Sequence, residues 1–159
     1  MPGLPPASRK RASPGRVAIM NGHEILAKLA GHSPVAMQRY ASSCLRRYCE
    51  VKGLSHPAVD ALLDHLDSIE TARDLAKWER KGALLELNGR GDPIPAGITS
   101  ALSEDERNAF AVLVESVVEV GIVDLYGAKT DLPLRFLDKT MRILAQNGIP
   151  LPAWIESSV

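Results

Sequence analysis

Apolar residues recur along most of this chain at intervals of three and four, the spacing that gathers side chains on one face of an α-helix. The strongest such run is residues 103–126, SEDERNAFAVLVESVVEVGIVDLY. It opens with Ser103 followed three residues on by Glu106, a capping box in which each side chain takes up the other's free backbone N–H. At about 100° per residue, Phe110, Leu113, Val114, Val117 and Gly121 stack on one side, with Val118 and Leu125 beside them. Val112, Val120 and Val123 carry the apolar surface further round, leaving a narrow polar stripe of Asn108, Glu115 and Glu119. A helix so nearly apolar must be enclosed by other elements. The pattern therefore predicts an all-α, single-domain bundle of five to six helices around a central, near-buried helix at about 103–126.

The flanking elements carry their own punctuation. Asn21 and Glu24 predict a capped short helix with Ile25, Leu26 and Leu29 inward, ended by Gly31. Ser33 and Pro34 start a second helix with Met37, Tyr40, Ala41, Cys44, Leu45 and Tyr48 on its apolar face, stopped by Gly53. Gln38, Arg39, Ser42, Arg46 and Arg47 are expected off that face. Ser55 and Pro57 repeat the cap-and-proline signature before a third helix with Val59, Leu62, Leu63, Leu66 and Ile69 inward. Thr71 with Asp74 predicts the start of a fourth helix that runs to Gly82.

Residues 82–102 are interrupted by glycines and prolines and predict a long ordered loop, packed through Leu84, Leu85, Leu87, Ile94 and Ile98. Thr130 or Asp131 then caps a last helix whose Leu134, Leu137, Met141 and Leu144 form a narrow seam. Asn147-Gly148 and Pro150 stop it, and Trp154 and Ile155 are expected to fold back as an apolar plug.

Composition narrows the partners. Lys plus Arg balances Asp plus Glu at 19 each, so no global field draws the molecule to nucleic acid or an anionic membrane. Residues 1–19, with clustered Arg9, Lys10, Arg11 and Arg16 and no acid, predict a disordered N-terminal tail; Met20 offers an alternative initiator, and residues 20–159 form the helical domain. No apolar run reaches membrane-spanning length, and no secretory h-region is expected. Cys44 and Cys49 fall on different faces of one predicted helix, which fits a reducing cytoplasm rather than a disulfide.

Candidate chemistry is sparse. The segment 24–42, EILAKLAGHSPVAMQRYAS, contains Ala27-Lys28-Leu29-Ala30-Gly31 followed by Ser33, Met37 and Arg39. It resembles the helix-turn-helix of LacI-type bacterial repressors, departing from it at His32 in the turn. That resemblance implies that Ser33, Val35, Ala36, Gln38 and Arg39 face a DNA major groove, with Gln and Arg reading base edges.

Asp60, Asp64, Asp67 and Glu70 share the outward side of the third helix, which suits a solvated acidic face better than an inward-facing metal site. Glu115 and Glu119 repel each other at i,i+4 and call for compensation from Arg135, Arg142, water or a basic partner. Asp124 lies just beyond them. Within Gly89-Arg90-Gly91-Asp92-Pro93, Arg90 is expected to be presented to a partner on a turn. No catalytic constellation, cofactor motif or metal-ligand spacing is legible.

The leading expectation is a non-enzymatic, bacterial-type protein-interaction module, immunity-like or antagonist in kind. It would meet a basic protein surface through Glu115, Glu119, Asp124, Asp60, Asp64, Asp67 and Arg90. The alternative is a DNA-binding regulator using Ser33, Val35, Gln38 and Arg39.

Overall fold

The computed structural model describes residues 21–154, which contain seven α-helices, one 3-10 turn and no strand. In chain order the helices are α1 (Gly22–Leu29), α2 (Pro34–Lys52), α3 (Pro57–Asp67), α4 (Leu75–Gly82), α5 (Ala96–Thr99), α6 (Glu104–Ile122) and α7 (Leu132–Gln146), with the 3-10 turn Ser68–Thr71 after α3. The tail expected at residues 1–19 and the Ile155 end of the expected plug lie outside the described residues. No helix of the described residues is long and apolar enough to cross a membrane.

Local signals place most of the helix ends. Asn21 caps α1, its side chain accepting from Glu24 N–H at 2.9 Å while Glu24 accepts from Asn21 N–H at 2.9 Å. Ser103 and Glu106 form the same reciprocal pair at the start of α6, and Ser33 caps α2. Gly53 ends α2 in the left-handed conformation, φ 69°, where any side chain would be strained. Two starts differ from expectation. His56, not Ser55, caps α3, because its Nδ1 reaches Ala58 N–H at 3.0 Å. Asp74 alone caps α4, since Thr71 already closes the 3-10 turn.

The main packing is three long helices against one another. α2, α6 and α7 touch pairwise; α3 leans on α2, α1 on α7, and α4 on α3. Phe110, Leu113, Val114, Val117, Val118 and Val120 of α6 are buried, as are Leu137, Met141 and Leu144 of the α7 seam. Burying each such side chain contributes about 1.5–3 kcal/mol relative to leaving it in water.

The helix interfaces also hold polar groups. Ser42, Ser116 and Thr140 are buried, and each donates its hydroxyl to a carbonyl four residues back, which satisfies the hydroxyl inside its own helix. Gln38, expected to point outward, is wholly buried at 0% exposure, and its Nε2 donates to the Val117 carbonyl at 3.0 Å. Gly121 makes this possible. A Cβ there would collide with Gln38 Oε1, so the amide occupies the space that a side chain on α6 would need.

The 82–102 segment is ordered, with α5 as one helical turn inside it and Leu87 and Ile98 buried. Leu84 departs from expectation: it is 85% exposed, because residues 83–85 turn tightly off the end of α4. Gly89, φ 67°, brings the loop down on α6; a Cβ there would sit 2.9 Å from Val118 Cγ2 and 3.1 Å from the Val114 carbonyl oxygen. At the other end, Trp154 packs edge-on to His32 and Tyr40, and the Tyr40 hydroxyl donates to the Pro152 carbonyl at 2.7 Å.

Candidate functional site

Where the 82–92 loop crosses α6, several charged side chains meet. Arg90 donates to Glu79 Oε2 at 2.6 Å and to the Glu79 carbonyl at 3.1 Å. The pair is the most enclosed ion pair among the described residues, with side chains 21% and 18% exposed. Asn88 holds the turn that aims it. Its Oδ1 accepts from Arg90 N–H at 2.8 Å, and its Nδ2 donates to Asp92 at 2.6 Å and to the Ala83 carbonyl at 3.2 Å. Gly82 leaves room beneath: a Cβ there would lie 2.6 Å from His65 Nε2 and 3.1 Å from Arg90 Nη2.

Arg90 is therefore turned inward to Glu79 rather than presented by the turn, correcting the expectation from the Gly-Arg-Gly-Asp sequence. The glycines permit the turn, but the carboxylate of α4 and the Asn88 amide decide its direction.

Tyr126 completes the cluster. Its hydroxyl donates to Glu79 Oε1 at 2.8 Å while the residue remains 69% exposed. The Tyr126 hydrogen bond and the Arg90 guanidinium together hold the Glu79 carboxyl below the usual carboxylate range. Glu119 shifts the other way. Partial burial raises its pKa, the Arg90 charge opposes that rise, and neighbouring Glu115 adds to it. Arg90 thus offsets the Glu119 charge only in part and without an ion pair. Arg135 and Arg142 of α7 are taken by Asp131, which precedes that helix, and by Asp138 within it.

The other sequence-derived residues scatter. Asp124 accepts from Thr130 N–H at 2.6 Å and from Thr130 Oγ1 at 2.7 Å, clamping the α6–α7 connection. Asp60 and Asp64 are exposed on α3. Asp67 is tied to Arg46 at 2.8 Å, and Glu70 to Arg39 at 2.6 Å, so this end of the acidic face is engaged by α2. Of the residues expected to read DNA, Ser33 is exposed and Val35 half-buried at the start of α2, and Arg39 is held by Glu70. Gln38 has no exposed surface with which to meet a base edge.

Sequence reasoning missed Glu79 and Tyr126. Nothing in the local pattern of either residue signals a bond across 47 positions. Gln38 was more accessible to reasoning, because it shares a 3-4-3 stripe with Ala41, Leu45 and Tyr48, all of them buried.

Burial pushes both thiols, Cys44 and Cys49, up to about 12, so neither is a nucleophile at neutral pH. Among the described residues, no three His, Cys, Asp or Glu side chains gather as a metal ion would require. No family model, curated protein or solved structure matches this chain.

Proposed function

We propose that this is a non-enzymatic protein-interaction module, immunity-like or antagonist in kind, that engages a basic partner through the face formed by the end of α6 and residues 83–92. One observation carries the reading. Leu84 and Tyr126 are the most exposed large apolar side chains among the described residues, and both adjoin α4 and its Glu79. Tyr126 donates to Glu79, and Leu84 follows two residues after α4 ends.

Exposed apolar anchors beside polar groups are the usual composition of a contact surface, with aromatic residues supplying much of its binding energy. On α6, Glu119 lies within the influence of the Arg90 charge and of Glu115, and neither glutamate has an ion-pair partner among the described residues. Such charges at a rim steer a cationic partner and reject an anionic one.

The test is capture of a partner by the full chain, followed by measurement of affinity for the Tyr126→Ala and Glu115→Lys variants. Each is expected to weaken binding at least tenfold while leaving the helical circular dichroism unchanged. Duplex DNA binding that falls steeply with salt and vanishes in Arg39→Ala would instead favour the regulator reading.

A further inference from the structure

A second region, on the side of α4 lined by Lys77 and Lys81, is organised differently. A groove of about 450 Å³ runs between α4 and the 3-10 turn, lined among others by His65, Arg73, Asp74, Lys77, Trp78 and Lys81. Its floor is fixed in place. Trp78 Nε1 donates to the His65 carbonyl at 2.9 Å and to Ser68 Oγ at 3.0 Å, and the His65 ring stacks on the indole at 4.7 Å and 9°.

Three cations line the groove, Arg73, Lys77 and Lys81, and none has an ion-pair partner among the described residues. One acid, Asp74, shares the groove with them, and Glu79 is engaged elsewhere. The Asp74 carboxylate accepts from Lys77 N–H at 3.0 Å as the cap of α4, and Glu79 is held by Arg90 and Tyr126. A chain of zero net charge thus gathers three cations against one carboxylate in one preformed depression.

We propose that this groove binds a small molecule carrying a diphosphate group. Lys77 and Lys81 stand one helical turn apart, roughly 6 Å between side-chain bases, so their ammonium groups can close on two adjacent phosphates. Arg73 adds a planar fork that suits phosphate oxygens. The volume lies within the roughly 300–1,000 Å³ range of small-molecule sites. A nucleic-acid backbone fits less well, because the cations form one short cluster rather than a track and the neutral chain supplies no wider field. The site is independent of the face proposed for the partner protein, and each can fail without the other.

Isothermal titration of the full chain with inorganic pyrophosphate, ADP, inorganic phosphate and a short DNA duplex at low ionic strength tests the proposal. Pyrophosphate and ADP are expected to bind at one site, at least tenfold more tightly than inorganic phosphate. The K77Q/K81Q double variant should lose at least tenfold in that affinity, whereas Lys139→Gln on α7 leaves it unchanged. Both lysines are exposed, and circular dichroism of the double variant verifies its fold. Absence of saturable pyrophosphate binding, or equal affinity in K77Q/K81Q, overturns the site. Tighter binding of the duplex than of pyrophosphate through the same lysines overturns the small-molecule assignment.

Discussion

Two stretches of this fold carry carboxylates at nearly the same helical spacing, and their surroundings treat them differently. After Asp60 and Asp64, the stripe on α3 runs into Asp67 and Glu70, which tie α3 and its 3-10 turn to Arg46 and Arg39 of α2. On α6, Glu115 and Glu119 have no such cation. The guanidinium nearest in influence, Arg90, is already committed to Glu79. Spacing on a helix decides which side chains share a face. What those side chains then do depends on what the neighbouring helix brings opposite them: the α3 stripe is engaged at its Asp67–Glu70 end, whereas neither Glu115 nor Glu119 has an ion-pair partner among the described residues.

The comparison is broken most severely by lifting the loop off α6. Gly89→Ala forces a side chain into a left-handed backbone and against Val118 and the Val114 carbonyl, at an expected cost of about 2–3 kcal/mol in urea unfolding. Arg90→Ala comes next. It removes two hydrogen bonds to Glu79 and leaves that carboxylate enclosed, for an expected loss of about 2 kcal/mol by the same measurement. By contrast, Arg39→Ala and Arg46→Ala break pairs whose side chains are about half exposed. Each should cost at most about 1 kcal/mol, and less at high salt.

The smallest effect has a definite sign. The Glu119 pKa is raised in the folded protein, so its ionisation opposes folding, and stability is lost as pH rises from the unfolded value toward the raised one. Glu119→Gln should therefore match the wild type below about pH 4, where both folded and unfolded Glu119 are protonated. It should become slightly more stable than the wild type as pH rises, with the difference levelling off above the raised value. Urea midpoints measured across that range check the divergence. A variant less stable than wild type at neutral pH would mean that Glu119 is compensated by a partner beyond Arg90.

The parts of this fold that were legible in advance are those set by neighbours in sequence. Asn21 with Glu24, Ser103 with Glu106, and Gly53 act within four residues of themselves, and each end falls where its chemistry places it. The Leu137, Met141 and Leu144 seam follows from helical geometry alone.

What was not legible depends on a partner distant in the chain. Arg90 could be placed on a turn, but not aimed, because Glu79 and the Asn88 amide set its direction. Asp67 reads as a solvated acid until Arg46 of another helix is seen beside it. Ser55 read as the cap of α3, but His56 takes that place through a ring nitrogen that serine-based capping rules do not consider. Leu84 was expected inside because it is apolar; the tight turn closing α4 leaves it in solvent, and with Tyr126 it becomes the apolar part of the candidate surface.

Hydrogen–deuterium exchange on the full chain, with and without its captured partner, tests the proposed surface most directly. Added protection confined to residues 83–92 and to the second half of α6 through Tyr126 is the result predicted. Protection on the Asp60–Asp64 side of α3 or at the start of α2, with the α6 end unchanged, would contradict it.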